Sequence, residues 1–214
     1  MGASDKYPPI RRGGSLILAW QIRGKTVLIV GGGKVAAGRL LNVLEADAKV
    51  ILVCPHKGLS PEVSHHISTQ SSPQHILYKD KEFDASDLTD DIAMCLTAID
   101  SPEASTRIWK LCKEKKVPVN VADVPSECDF YFGSQHRDGP LQIMISTNGS
   151  APKLANLIRV RVAESLPANA GQGCLNVGKL RRKLWAVALG SDEGPKRMKW
   201  LFYLARVCAD GCLG

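Results

Sequence analysis

The sequence predicts an α/β protein whose main domain is a parallel, doubly wound sheet. Two observations lead to this prediction. Continuous apolar, β-branched runs such as Val27–Val30 and Val50–Val53 are typical of strands that are covered on both faces. These runs alternate with amphipathic helical patterns, and strand–helix–strand alternation favours parallel pairing through right-handed crossovers.

The first strand–helix–strand unit begins at the Val27–Val30 strand. The helix after it carries Ala36, Leu40 and Leu44 on one stripe, and Val50–Val53 is the second strand. Three more strands and one helix continue the alternation. The strands are predicted at Ile76–Tyr78, Ala93–Thr97 and Val117–Val121, and the helix is predicted at Ser101–Lys116.

The pattern changes after Asp129. The stretches FYFGS (130–134) and LQIMIS (141–146) predict two strands around a polar turn at His136–Pro140. A helix follows, with Pro152 in its first turn, where a missing N–H costs nothing. Residues 167–173 are small and predict a linker. Two basic amphipathic helices, Leu175–Ala188 and Pro195–Ala209, complete the chain. We therefore divide it into domains at 1–130, 131–166 and 167–214.

The net charge of +7 is concentrated in one part of the 214 residues. Residues 1–152 carry equal numbers of basic and acidic side chains, whereas residues 153–214 carry eleven Lys and Arg against four Asp and Glu. Such a field attracts anions, which include nucleic acids, polycarboxylates and phosphorylated small molecules. The basic segment lacks aromatic interleaving and any DNA-reading motif, so we expect no nucleic-acid partner.

Seven cysteines occur without a C-x-x-C pair, which argues against a disulfide framework and a zinc ribbon. We expect most of them to be small buried side chains in a reducing compartment, and we expect no metal site held by the protein. No apolar stretch approaches the roughly 18 residues that span a bilayer, and the polar N-terminus does not resemble a signal peptide. A cytoplasmic protein without a membrane partner is the expectation.

The segment Gly31-Gly32-Gly33-Lys34-Val35-Ala36 fits G-x-G-x-x-G/A between a strand and a helix. Gly31 would permit the tight turn. Gly33 would leave room for a pyrophosphate at the helix N-terminus, where free N–H groups and the helix dipole favour anions. The sequence thus predicts a Rossmann-type dinucleotide site.

One expected part of that site is missing. The second strand of such a unit commonly ends on an acid that binds the ribose hydroxyls of NAD. Here the strand is followed by Cys54-Pro55-His56-Lys57, which has no carboxylate and two potentially cationic side chains. NAD is the expected cofactor, and NADP stays open.

Asp123 lies at the carboxyl end of the predicted Val117–Val121 strand, and Thr97 lies at the end of another. In an open parallel sheet, ligands bind beyond the carboxyl ends of the strands, so both residues would face the dinucleotide. A carboxylate beside a nicotinamide can take the proton that leaves when hydride goes to the ring. A turn aspartate that caps its own backbone is the alternative.

Three stretches in this order resemble the siroheme-synthesis enzymes: VLIVGGGKVAAGR, VPVNVADVPSECDFYFGS and LQIMISTNGSAPKLANLIR. The similarity is to the fungal bifunctional precorrin-2 dehydrogenase/sirohydrochlorin ferrochelatase, and it runs from about Leu16 to Cys208. The resemblance implies an NAD-binding domain, a small central segment that builds a homodimer, and a C-terminal helical part. It also implies oxidation of precorrin-2 to sirohydrochlorin, followed by insertion of ferrous iron.

The resemblance also assigns residues. Asp123, the acid of N-V-A-D, would serve both reactions. The dinucleotide would lie over Gly31, Gly33, Lys34 and Val35, with Pro55 and His56 near the adenosine. Ser146, Asn148 and Ser150 match the loop and helix start that border the tetrapyrrole.

Two departures from the family pattern bear on these expectations. His56–Lys57 stands where relatives often have a carboxylate, and the sequence stops at CADGCLG, earlier than fungal relatives. The first leaves the choice between NAD and NADP open, and the second makes ferrochelatase activity less secure than dehydrogenase activity. Two other functions also stay open. One is an NAD(P)-dependent dehydrogenase of another anionic substrate, and the other is a non-enzymatic, NAD-sensing regulatory domain.

Overall fold

A computed structural model describes residues 10–69, 75–188, 190 and 194–213, with the side chains of 205 and 207–213 excepted. The chain separates into two compact units, residues 1–131 and 132–214. Each unit has its own sheet. No helix in the described ranges is both long and apolar enough to cross a membrane.

The first unit is built on a five-stranded parallel sheet in the order β3-β2-β1-β4-β5. This is the doubly wound α/β fold that the sequence predicts. The strands are β1 (Thr26–Val30), β2 (Lys49–Val53), β3 (Ile76–Lys79), β4 (Ile92–Thr97) and β5 (Val119–Val121).

Strand β1 lies at the centre of the sheet, and its last four residues are buried. This burial explains why its sequence is continuously apolar and not alternating. β5 is shorter than the predicted Val117–Val121 strand. Pro118 has no N–H to donate, and only its carbonyl joins the sheet, accepting from the Cys95 N–H at 2.9 Å.

Helices cover the sheet between the strands: α1 (Lys34–Glu45), α2 (Pro61–Thr69) and α3 (Pro102–Glu114). α1 buries Ala36, Ala37, Leu40 and Val43. The predicted stripe member Leu44 is only half-buried, and Val43 takes the inward position. The small side chains of Ala36 and Ala37 allow the helix to approach the sheet closely.

The second unit contains an antiparallel hairpin and three helices. Its elements are β6 (Ser134–Asp138), β7 (Leu141–Ile145), α4 (Pro152–Glu164), α5 (Ala170–Val187) and α6 (Gly194–Leu213). Pro152 occupies the first turn of α4, as predicted. The two predicted C-terminal helices are also confirmed, and both begin earlier than expected.

Two predictions for this unit are wrong. Residues 130–133 of FYFGS are not a strand; the strand is the polar SQHRD segment of β6, and the turn is Gly139–Pro140. The predicted linker at 167–173 already contains the first turn of α5. That turn is fixed because the Gly171 N–H donates to Asp138 Oδ2 at 2.6 Å.

Candidate active site

The glycine turn after β1 has the conformation that its sequence predicts. Gly31 has φ +114°, a region that other residues rarely adopt, and its N–H donates to the Val53 carbonyl at 3.0 Å. A Cβ at Gly31 would lie 2.1 Å from the carbonyl oxygen of Ala98. Only glycine fits where the chain passes this closely between β2 and β4.

Gly33 differs from Gly31, because the fold alone does not require a glycine there. It is the N-cap of α1, and a Cβ added there would meet no protein atom within 4 Å. No side chain caps this helix, and its first turn contains no acidic residue. The N–H groups at the start of a helix have no partner inside it, so Lys34 and Val35 begin a helix end that is open to an anion.

Thr97 ends β4 beside β1, where it pairs in register with Val30. The residue is 2% exposed, and its Oγ1 has no hydrogen-bond partner among the described residues. A buried hydroxyl without a partner is uncommon because it loses its bonds to water. Together, the uncapped helix, the open space at Gly33 and this hydroxyl fit a dinucleotide that crosses the sheet edge.

The segment after β2 folds back onto the glycine turn. Residues His56–Gly58 form a single 3-10 turn, and the Ser60 N–H donates to the Gly32 carbonyl at 2.7 Å. A Cβ at Gly32 would come within 2.8 Å of Cys54 Sγ. Pro55 and His56 therefore lie beside the glycine turn, and their place near an adenosine stays a prediction.

Asp80, which the sequence analysis missed, supplies a carboxylate beside His56, after the end of β2. It follows β3, and its Oδ1 accepts a hydrogen bond from the backbone N–H of His56 at 2.7 Å. β3 pairs with β2 so that Lys79 lies opposite Val53, which brings Asp80 level with Cys54. Because residues 54 and 80 are far apart in the sequence, a search at the end of β2 alone does not find this acid.

The negative charge of Asp80 contributes to raised pKa values of two neighbouring side chains, Cys54 and Tyr78. Burial raises the pKa of the Cys54 thiol, and the negative charge of Asp80 raises it further. Burial and then Asp80 likewise raise the pKa of Tyr78, whose hydroxyl donates to the Cys54 carbonyl at 3.0 Å. Asp80 thus adds a negative charge at the end of β2, whose own residues carry no acid.

Asp123 occupies the turn directly after β5. Its φ of +61° is the left-handed conformation, which Asp tolerates better than most residues, and its side chain is exposed. The Ala122 N–H donates to the Thr97 carbonyl at 3.0 Å, so the turn is joined to the end of β4. Thr97 and Asp123 therefore lie on the same sheet edge as the glycine turn.

The segment that follows Asp123 is held in place by side chains. The buried Asn120 donates through Nδ2 to the Phe130 carbonyl at 2.8 Å. The thiol of Cys128 donates to the Val121 carbonyl at 3.1 Å. The ring of Phe130 makes an edge-to-face contact with Trp20, with a centroid distance of 5.4 Å. These contacts fix the turn in which Asp123 stands.

Arg39 of α1 is a second residue that sequence reasoning missed. Burial lowers the pKa of its guanidinium, while Cys128 and Asp123 shift this pKa in the opposite direction. The cation of Arg39 thus lies within electrostatic range of Asp123. Its only sequence signal is a basic residue on an otherwise apolar helical stripe.

Ser146, Asn148 and Ser150 lie in the second unit, on the loop between β7 and α4. Ser146 Oγ accepts from the Asn148 N–H at 3.1 Å, and the Ser150 N–H donates to the Thr147 carbonyl at 3.0 Å. Asn148 has φ +51°, and no side chain caps α4. The loop ends at an open helix N-terminus, and the assignment of these residues to substrate stays a prediction.

The cysteines follow the expected pattern where their side chains are described. Cys54, Cys95 and Cys112 are buried, Cys128 is half-buried and Cys174 is exposed, and all five are free thiols. Cys208 and Cys212 lie outside the described side chains. Over the part of the chain that the structure describes, no three His, Cys, Asp or Glu side chains are grouped to hold a metal ion.

Three family models cover the chain in succession. Residues 18–134 match a putative NAD(P)-binding family, residues 138–165 the sirohaem biosynthesis protein central family, and residues 167–210 the sirohaem biosynthesis protein C-terminal family. The siroheme biosynthesis protein of Schizosaccharomyces pombe is 50% identical over 204 residues, which is 95% of this chain and 76% of that protein. The chain belongs to the siroheme biosynthesis protein family.

Other members of the siroheme biosynthesis family agree with this assignment. The siroheme biosynthesis protein of Saccharomyces cerevisiae is 33% identical over 231 residues, which is 92% of this chain and 82% of that protein. A solved structure described as SirC, precorrin-2 dehydrogenase, superposes with a TM-score of 0.67 at 21% identity and covers 89% of each chain. That likeness supports the α/β fold. The boundaries of the three predicted domains stay a prediction.

Proposed function

We propose that this siroheme biosynthesis protein oxidises precorrin-2 to sirohydrochlorin with NAD. One observation carries the proposal. An uncapped helix N-terminus, a buried hydroxyl without a partner among the described residues and an exposed aspartate share the carboxyl edge of one parallel sheet. These are the parts that binding a dinucleotide and accepting a proton beside it require.

The chain's own residues would hold the cofactor in three places. The N–H groups of Lys34 and Val35, opposite the open space at Gly33, would bind the pyrophosphate through the positive end of α1. Pro55 and His56 would border the adenosine. Thr97 Oγ1 would gain the hydrogen bond that it lacks in the protein alone. When bound, the nicotinamide would supply the acceptor for hydride.

Asp123 would take the proton that the substrate releases. Its exposed carboxylate in the turn after β5 has access to a bound molecule, and the cation of Arg39 lies within electrostatic range of it.

Tetrapyrroles of this class carry several carboxylates, and the charge distribution suits them. The excess of positive charge lies in residues 153–214. The first turn of α4 contains no acidic residue, and its N-terminus follows Ser146, Asn148 and Ser150. We propose that this loop binds substrate carboxylates through its backbone N–H and hydroxyl groups.

The test is to mix purified protein with precorrin-2 and NAD and to follow the absorption spectrum. Conversion to the sirohydrochlorin spectrum, with formation of NADH in equal amount, is the expected result. An unchanged spectrum, from protein whose binding of NAD has been verified by calorimetry, would overturn the assignment of the substrate. The assignment of the cofactor would still stand.

Insertion of ferrous iron into sirohydrochlorin is proposed as a second activity of the same site. The chemistry needs pyrrole protons to be removed, which a carboxylate such as Asp123 can do while the macrocycle takes the metal. Adding ferrous iron to the completed oxidation reaction should give the siroheme spectrum faster than in a reaction from which the protein has been removed. Equal rates would overturn this second activity.

We also propose a cytoplasmic homodimer. Leu154, Leu157 and Ile158 of α4 remain exposed although they are large and apolar, and a second copy would cover them. The five described cysteines are free thiols, the state that a reducing compartment maintains.

A further inference from the structure

The end of β2 lacks the acid that usually binds the adenosine ribose, yet the structure brings an acid there from β3. We infer that Asp80 is the residue that selects NAD over NADP in this protein, by binding the ribose hydroxyls and repelling a 2′-phosphate. This inference rests on the proposed dinucleotide function and adds a determinant of specificity to it.

The backbone fixes the position of this carboxylate. β3 and β2 are parallel neighbours in register, and the Cys54 N–H donates to the Lys79 carbonyl at 3.2 Å. The next residue, Asp80, then reaches across the strand end to the His56 N–H with Oδ1 at 2.7 Å. Asp80 therefore places a carboxylate beside the residues that follow β2, although it follows the neighbouring strand β3.

The same segment contacts the glycine turn directly. The Ser60 N–H donates to the Gly32 carbonyl at 2.7 Å, and a Cβ at Gly32 would touch both Cys54 and Leu59. A dinucleotide whose pyrophosphate lies at the start of α1 would thus extend its adenosine over this segment. Asp80 is exposed beside it, so its carboxylate is accessible to a ligand that arrives there.

Charge decides between the two cofactors. NADP differs from NAD by a 2′-phosphate, which carries negative charge where NAD has a hydroxyl. His56 and Lys57 alone would favour that phosphate. The carboxylate of Asp80 opposes it, because like charges brought together at a binding site are strongly unfavourable and a carboxylate accepts hydrogen bonds from ribose hydroxyls.

The test measures the affinities of NAD and NADP for the full-length protein by calorimetry, without turnover. Asp80→Asn is the informative variant because the amide oxygen still accepts from His56, so the segment keeps its shape while the charge is lost. We expect wild type to prefer NAD, and Asp80→Asn to shift the ratio of affinities about tenfold toward NADP. Asp80→Glu, which keeps the charge, should retain the preference.

Asp90→Asn is the matched control, since it removes the same charge from a side chain that is 98% exposed and pairs with Lys115. It should leave the ratio unchanged. A ratio in Asp80→Asn within about twofold of wild type would overturn the inference alone. A wild-type protein that binds neither dinucleotide would overturn the proposed function and this inference with it.

Discussion

The carboxylate of Asp129 accepts a hydrogen bond from the Val119 N–H at 3.0 Å, and the Asp129 N–H donates to the Val119 carbonyl at 2.9 Å. Asp129 also pairs with Lys113 of α3. It thus satisfies the outer edge of β5 as a neighbouring strand would. Asp123, six residues earlier, is exposed in a left-handed turn, so the two acids of one short stretch lie in different environments.

Replacing Asp123 with Asn should abolish most dehydrogenase activity while NAD binding stays near wild type. The amide keeps the size of the side chain but does not accept a proton at neutral pH, so only the chemical step suffers. General-base contributions are worth about 10²–10⁴ in rate, and the loss should appear in kcat. Iron insertion should fall in parallel if one carboxylate serves both reactions.

Asp129→Asn is the control for that experiment. It should lower the free energy of unfolding by about 1–3 kcal/mol, because the amide weakens the bonds to Val119 and Lys113. Its kcat should change far less than that of Asp123→Asn. An Asp123→Asn protein that oxidises precorrin-2 at nearly the wild-type rate would show that Asp123 is only a turn residue.

Replacing Gly33 with Asp should abolish NAD binding without unfolding the protein. A side chain at this position meets no protein atom, so the fold tolerates it, but its carboxylate would occupy the place of the pyrophosphate. Calorimetry with NAD measures the loss, and circular dichroism verifies the fold.

Gly38→Asp provides the comparison, because Gly38 lies on the same helix and a Cβ there also meets open space. It should leave NAD affinity close to wild type. Wild-type affinity in a folded Gly33→Asp protein would contradict the assignment of the glycine turn.

The sheet could be predicted from the sequence because local and tertiary preferences agree there. β1 and β2 are covered by helices, so Val27–Val30 and Val50–Val53 are apolar without interruption. The glycine turn could be predicted as well, since the conformation and the close approach at Gly31 leave no alternative to glycine.

The sequence misplaces the first strand of the hairpin because the aromatic residue Phe130 makes its contacts outside the hairpin. Phe130 contacts Trp20 and accepts from Asn120, which takes it out of the strand that its composition suggests. Gly171 was interpreted as part of a linker. A Cβ there would lie 2.2 Å from the Asp138 carbonyl oxygen, so this glycine marks a close packing contact.

The candidate site was only partly predictable for a related reason. Gly31, Gly33 and Asp123 follow strands and can be located by position. Asp80 and Arg39 reach the site from β3 and from the middle of α1, and no spacing in the sequence connects them with it.

Replacing Leu157 with Glu should convert a homodimer into a monomer. Leu157 is 53% exposed on the same helix as Leu154 and Ile158, and a charge in the middle of a covered apolar face opposes association. Light scattering at micromolar concentration gives the mass of the wild type and the variant.

Leu77→Glu serves as the reference substitution, since Leu77 is 47% exposed on β3 and lies outside the proposed dimer segment 131–166. It should leave the mass at that of a dimer. A monomeric wild type would refute the homodimer. A Leu157→Glu variant that remains dimeric would show that the two copies make contact through another surface.

Asp87 is a buried acid held by two lysines outside the candidate site. It is 1% exposed, and its oxygens lie 2.9 Å from Lys79 Nζ and 2.9 Å from Lys81 Nζ. Burial alone raises the pKa of Asp87. The hydrogen bonds from Lys79, Lys81 and the Asp84 N–H outweigh burial, and the pKa lies below its ordinary value of 3.8.

Asp87→Asn should therefore destabilise the first unit in a pH-dependent way. The lysines are partly exposed, so the expected loss near neutral pH is moderate, about 1–3 kcal/mol. Because the pKa is lower in the folded state, the stabilisation is present above pH 3.8 and is lost as the pH falls through the folded value. Urea unfolding at about pH 7 and about pH 3 should show a smaller difference from wild type at the acid pH. A difference that is equal at both pH values would mean that Asp87 contributes through its shape and not through its charge.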